Sequence, residues 1–243
     1  MFVEWLVEAY YLRLFLRLSH IPHFTTLQKF ADRISNTLLE KIISSFIVIS
    51  SCTKHIFAGI DSTGFKMTHA SQYYAERTAA RRKYAKLSIG ADVLQQLICT
   101  IKIRRAPTRH DNVDFRPIIT RIAEILPLSV VTADKGYDSE DNHLLVREEL
   151  HASSVIPARY EHVPIWRTHG TYRKQMKRGY SKMLYNQRNK DETIISVIKR
   201  LFGEHIMSRL TRTQNRELSF RCITYNMHRL TNLIILMMFS TKP

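Results

Sequence analysis

The sequence predicts an α/β fold, on three observations. Residues 85–91 and 97–104 alternate along the chain with period two, Leu87, Ile89 and Ala91 against Lys86, Ser88 and Gly90, then Leu97, Cys99, Ile101 and Ile103 against their neighbours. Two short apolar runs, residues 55–61 and 129–134, each end in an aspartate and read as buried strands. Around the second of these, residues 113–126 and 139–150 have helical character, and residues 154–157 read as a short strand. With a helix after the last strand, the order is β-β-β-α-β-α-β-α.

The elements follow in chain order. Apolar residues recur at helical intervals over residues 3–18, and His20-Ile21-Pro22-His23 breaks the pattern. A second helix is expected over residues 25–39, capped by Thr25 or Thr26, with Leu27, Phe30, Ile34 and Leu38 along one face. Residues 1–52 therefore form a small helical segment, either presenting a helix to DNA or propping a second domain of residues 53–243. The chain starts inside an apolar helix, so part of an N-terminal DNA-binding region is expected to be missing. Glu4, Glu8, Arg13 and Arg17 exclude a signal peptide there, and the apolar runs 42–49 and 233–239 are too short to cross a bilayer and read as core. The two alternating strands pair as a hairpin without an Asn-Gly turn. Residues 158–182 lose all periodicity among Pro164, Trp166, Gly170, Gly179 and many cations, and are expected to be a mobile loop. Residues 218–238 form a closing helix.

Composition narrows the function. The 243 residues carry 37 Lys and Arg against 21 Asp and Glu, a net charge of +16, while 44% are hydrophobic. A folded, basic protein favours a nucleic-acid partner over a disordered basic tail; ribosome association or acidic lipid are the alternatives. Cys52, Cys99 and Cys222 are odd in number and widely spaced, as in reduced cytosolic proteins. The histidines lack the convergent sets that structural zinc requires.

The chemistry concentrates in Tyr185, Arg188, Glu192 and Lys199. On one helix, steps of about 100° per residue place all four on a narrow stripe, a carboxylate between two cations. Asp191 lies about 100° off that stripe and should point elsewhere. Asp61 and Asp134, at the carboxyl ends of two strands of an open sheet, face one edge. Taken singly, Asp61 and Asp134 are ordinary turn residues and Glu192 an exposed helix residue. Three carboxylates brought together repel unless cations join them; two Mg²⁺ ions about 3.5–4 Å apart would remove that repulsion and activate a nucleophile. Arg188 and Lys199 suit phosphates. Two basic clusters, Arg77, Arg81, Arg82, Lys83 and Lys86, and the stretch from Arg173 and Lys174 to Lys182 with Tyr172 and Tyr180 interleaved, suit DNA backbone and unstacked bases.

The pattern Y-x2-R-x3-E-x6-K, with Asp61-Ser62-Thr63-Gly64 and Ala133-Asp134-Lys135-Gly136-Tyr137-Asp138-Ser139, resembles the DDE transposases of prokaryotic insertion sequences, in particular the insertion-sequence-five-like group. The resemblance covers residues 57–202. It implies a ribonuclease-H-like mixed sheet with helices on both faces, catalytic and metal-binding Asp61, Asp134 and Glu192, and two Mg²⁺ ions for which Mn²⁺ can substitute. It also implies DNA contacts from Tyr185, Arg188 and Lys199, and a place near the active site for His110-Asp111-Asn112. The implied activity is cleavage at insertion-sequence ends and strand transfer into target DNA, by a homodimer on double-stranded DNA at the nucleoid of a prokaryotic cytoplasm. The alternative is a truncated, catalytically silent remnant that holds DNA ends and inhibits an active copy.

Overall fold

The computed structural model describes residues 6–50, 54–67, 84–105 and 110–240. Arg77, Arg81, Arg82, Lys83 and Cys52 lie outside the described residues. The chain divides into two compact units, Met1–Leu38 and Leu39–Pro243.

In the smaller unit the helix expected over residues 3–18 is interrupted at Ala9, and α1 spans Tyr10–Phe15. Helix α2, Phe24–Arg33, is capped by His23 rather than by Thr25 or Thr26. His23 is still extended, one residue before the helix, so its ring nitrogen can accept from the Thr25 N–H at 3.4 Å, whereas both threonines are already inside the first turn. The helix expected to reach residue 39 stops at Ile34, because Ser35 starts a new one by accepting from the Leu38 N–H at 3.1 Å. That helix, α3, spans Asn36–Ser50.

In the larger unit α3 buries Leu39, Ile43, Phe46 and Ile47. The sheet is built from β1 (Ile56–Met67), β2 (Tyr84–Asp92), β3 (Leu97–Arg105), β4 (Leu128–Ala133) and β5 (Ser153–Val155), in the order β3-β2-β1-β4-β5. β1, β2 and β3 pair antiparallel, and β4 and β5 add in parallel on the other side of β1. This is the mixed ribonuclease-H-like sheet. The β2–β3 hairpin forms as the alternation predicts, with Gln96 at a positive φ of 59° in its turn. A two-residue strand β6 (His205–Ile206) extends β1 in parallel at Lys66 and Met67.

Helices cover both faces. Helix α4 (Phe115–Ala123) lays Ile118, Ile119 and Ile122 on Ile56, Ala58 and Ile60 of β1 and on Val131 and Ala133 of β4. It approaches Gly90 of β2 so closely that a Cβ there would stand 2.5 Å from Ile118 and 2.7 Å from Ile122. Helix α5 (Glu140–Leu144) continues as a π turn, Leu145–Glu149, and buries Leu145 and Val146 in the same core. Three further helices follow β5: α6 (Thr171–Arg178), α7 (Lys182–Asn186) and α8 (Asn189–Phe202), the last packed on the opposite face of β1 through Ile194, Ile195 and Ile198.

The final helix, α9 (Thr211–Ser240), closes the β3 edge. Its Asn226 is fully buried, accepting from the Ile98 N–H at 2.9 Å and donating to the Ile98 carbonyl at 2.8 Å, so one amide satisfies both backbone groups of an edge residue. Among the described residues no helix is long and apolar enough to cross a membrane.

The segment 158–182 is not a loop. It holds a 3₁₀ turn, Ile165–Arg167, and α6, whose amino end is capped from far away in sequence: the Glu140 carboxylate accepts from the N–H groups of Tyr172 at 3.0 Å and Arg173 at 3.1 Å. Gly170, at φ +93°, lets the chain pass that carboxylate.

Candidate active site

Parallel pairing between β1 and β4 ends at Ile60 opposite Ala133, and the next residues are Asp61 and Asp134. The two carboxylates therefore leave neighbouring strands at the same level. Asp61 is not at the end of its strand, as the sequence suggested: β1 runs on to Met67 because β2 keeps pairing with it as far as Lys66 opposite Tyr84. What ends is β4. There the Asp134 side chain accepts from the Gly136 N–H at 2.8 Å and turns the chain into a 3₁₀ turn, Lys135–Tyr137.

Strand alternation puts Asp61 on the same sheet face as Gly59, the face that α8 covers. Its Oδ1 accepts from the Ser62 N–H at 2.8 Å. Burial pushes the Asp61 carboxyl up to about 6, the Ser62 bond and the Arg188 charge oppose this, and the charges of Asp134 and Glu192 add to it. Asp134, Glu192 and Arg188 thus all lie near enough to Asp61 to act on its charge. Glu192, in the first turn of α8, is 54% exposed and accepts from Arg188 Nη2 at 2.6 Å.

The single helical stripe of four residues is divided. Tyr185 belongs to α7 and Glu192 and Lys199 to α8, with Arg188 as the residue that caps α8. The break comes from a tightened turn in which the N–H groups of Gln187, Arg188 and Asp191 reach carbonyls three residues back. Arg188 keeps helical dihedrals, so its pairing with Glu192 one turn on survives. Its guanidinium lies 5.8 Å from the Tyr185 ring, which meets Tyr180 edge-on at 5.5 Å. Lys199 is turned away from Glu192: its Nζ lies 5.8 Å from the Phe65 ring and 3.9 Å from Glu204. Asp191 leaves the stripe as expected and is fully buried.

Two of the expected DNA-contacting cations are already engaged. Lys86 is 5% exposed and donates to Asp111, and Arg173 grips Asp138 with two bonds of 2.8 and 2.7 Å. Lys174 is half-buried, and Arg81 and Arg82 lie outside the described residues. Composition counts such cations as surface charge; their partners, 25 and 35 positions away, are what sequence could not supply.

Asp111 and Asp114 are the residues that sequence reasoning undervalued. Asp111 also accepts from Ser62 Oγ at 3.0 Å, and Asp114 accepts from Ser88 Oγ at 3.0 Å and pairs with Arg104. These bonds fix β1 and β2 on the face opposite Asp61, one residue from it. His110, at the head of this turn, meets Arg159 at 3.0 Å.

An all-carboxylate donor set, Asp61, Asp134 and Glu192, fits a hard divalent cation. Among the described residues no three His, Cys, Asp or Glu side chains converge closely enough to hold one as they stand. Glu192 is instead neutralised by Arg188.

The sequence profile of the transposase DDE domain family matches residues 54–227. No curated protein sequence matches the chain significantly. Among solved structures, the Mos1 strand transfer complex overlaps 84% of this chain and 62% of its own at 9% identity and a TM-score of 0.37. The Mos1 transposase paired-end complex with left transposon end overlaps 80% and 63% at 10% identity and 0.32. The simian T-cell lymphotropic virus intasome in complex with PP2A regulatory subunit B56 gamma overlaps 68% and 46% at 11% identity and 0.35. The chain thus spans between about half and two thirds of the length of these chains. Overlap at this level transfers no residue role.

Proposed function

We propose, for a chain that belongs to the transposase DDE domain family, that it catalyses metal-dependent cleavage at the ends of an insertion sequence and joins the freed end to target DNA. The observation that carries this reading is the register of β1 and β4, which brings Asp61 and Asp134 out side by side beneath the helix that bears Glu192. Asp61, Asp134 and Glu192 would hold two Mg²⁺ ions, for which Mn²⁺ can substitute. When bound, such a pair supplies Lewis-acid stabilisation of the attacking and leaving oxygens of an in-line phosphodiester displacement.

The protein's own groups do the rest. Partial burial of Asp61 lowers the local dielectric and strengthens the hold of its carboxylate on a cation. Arg188 and Lys199 contact phosphates flanking the scissile bond, and Tyr185, stacked under Arg188, touches the terminal nucleotides. Lys174, Arg81 and Arg82 extend the DNA path, with Lys174 on α6. Arg173 is given a structural role, since its guanidinium is spent on Asp138. The Arg188–Glu192 spacing within Y-x2-R-x3-E-x6-K supports placement in the insertion-sequence-five-like group. The substrate is double-stranded DNA, terminal inverted repeats and target, bound by a homodimer at a prokaryotic nucleoid.

The test is cleavage of a labelled terminal-repeat duplex. With Mg²⁺ or Mn²⁺ the wild type should cut; Asp61→Asn, Asp134→Asn and Glu192→Gln should bind the duplex and leave it intact. Ca²⁺ should support binding with little or no cutting. A wild type that binds ends without cutting in any of these metals would instead be the silent inhibitory remnant.

A further inference from the structure

The first turn of α8 rests on β1 through an unusual contact. A Cβ built at Gly59 would stand 1.9 Å from Asp191 Oδ2, 2.5 Å from its Cγ and 2.6 Å from Oδ1. The Asp191 carboxyl thus occupies the volume that any side chain at position 59 would need. It has no room to swing aside, being fully buried, with Ile194, Ile195 and Ile198 of the same helix also buried. Both of its oxygens lack a hydrogen-bond partner, so the group contributes contact without polar compensation, an arrangement that costs stability.

The two elements that meet there carry the proposed metal ligands. Glu192 follows Asp191 on α8, and Asp61 lies two residues beyond Gly59 on the same face of β1. Any change in the depth of the contact moves Glu192 relative to Asp61. We infer that Gly59 and Asp191 form a seat that sets this separation, and that Asp191 is a positioning residue for the metal site. The inference rests on the metal-site reading above.

The seat makes a reciprocal demand that a merely structural contact elsewhere would not. Gly59→Ala should lift the first turn of α8. It should weaken Mn²⁺ binding to the DNA-free protein by about 10-fold or more, the scale on which supporting residues act on metal affinity. Cleavage should fall by up to about 100-fold, the scale of a misplacement near 1 Å. Removing the carboxyl that collides with the new methyl, in the double variant Gly59→Ala with Asp191→Ala, should bring Mn²⁺ affinity back to within about threefold of wild type. Asp191→Asn, which keeps the shape, should match wild type.

Mn²⁺ affinity is read by paramagnetic resonance, and the depth of the seat by amide hydrogen exchange in the first turn of α8, which should quicken in Gly59→Ala and slow again in the double variant. The seat is refuted if Gly59→Ala matches wild type in both readouts, or if the double variant is no better than Gly59→Ala. Should Gly59→Ala alone fail to fold, a double variant that folds with near-wild-type Mn²⁺ affinity supports the seat, and one that also fails refutes it. If Glu192→Gln binds Mn²⁺ as wild type does, the metal-site reading fails instead, and the exchange order then decides the seat by itself.

Discussion

Arg188 and Glu192 are bonded to each other at 2.6 Å across one turn at the start of α8, and Arg188 is also the cation that opposes the rise in the Asp61 carboxyl. One guanidinium therefore neutralises the same carboxylates that a divalent cation would. Phosphate offers Arg188 an alternative partner, so DNA and metal binding should assist each other.

Replacing Arg188 by Ala should then tighten Mn²⁺ binding to the DNA-free protein by severalfold, roughly the exchange of about 1 kcal/mol of competing ion pair. Cleavage should fall, because the phosphate contact goes with it. Paramagnetic resonance titration with and without duplex separates the two effects. Equal or weaker Mn²⁺ affinity in Arg188→Ala would mean that the pair does not compete with the cation.

The acidity of Asp61 gives a pH dependence whose sign is fixed. Its carboxyl rises from 3.8 to about 6 on folding, so the folded state holds the proton more tightly than the unfolded chain. This contribution to stability is complete below about pH 4 and lost as pH rises through about 6, up to about 3 kcal/mol by pH 7. Without metal, Asp61→Asn should therefore be more stable than wild type at pH 7, with the gap closing by pH 4. Adding Mg²⁺ at pH 7 should stabilise the wild type and leave the variant unchanged. Urea titrations at both pH values check this; a variant less stable than wild type at pH 7 without metal would contradict it.

Asn226 ties α9 to the sheet edge through both backbone groups of Ile98, a buried residue. Asn226→Ala leaves an N–H and a carbonyl unsatisfied and should cost about 2–4 kcal/mol in urea unfolding. A loss below about 1 kcal/mol would mean that solvent reaches the edge and replaces the bonds.

What the sequence revealed and what it hid divide by the range of the interaction. The β2–β3 alternation is a local signal, and so are the apolar runs that end at Asp61 and Asp134; the strands lie where these fall. The length of β1 was hidden, because Ser62-Thr63-Gly64 reads as a turn until β2 is paired against it. Helix α6 was hidden because its cap is Glu140, 32 positions from Tyr172. The break between α7 and α8 carries no Pro or Gly to mark it. At the proposed site, the one-turn spacing of Arg188 and Glu192 was legible in the sequence, and the folded chain pairs them. The burial of Lys86 on Asp111 and of Asp191 on Gly59 depends on pairings that only the folded chain makes.

Arg173 and Lys199 test whether a cation here serves the fold or a DNA contact. Arg173 is bidentate on an Asp138 carboxylate that is 0% exposed and also accepts from the Arg159 N–H at 2.9 Å. Removing one partner of a buried pair costs about 3–5 kcal/mol, so Arg173→Ala should unfold at much lower urea while leaving the salt dependence of duplex binding unchanged in the fraction that folds. Lys199 is partly exposed, held by a ring contact and a long approach to Glu204, and Lys199→Ala should cost at most about 1 kcal/mol. If Lys199 neutralises one phosphate, its loss should flatten the slope of log affinity against log salt by about 0.9, and loss of Arg81 and Arg82 together by up to about 2. Both quantities come from the same three variants, by urea unfolding and by fluorescence anisotropy on a terminal-repeat duplex over a series of salt concentrations. A flattened slope in Arg173→Ala at wild-type stability would return Arg173 to the DNA path and deny that Asp138 holds it.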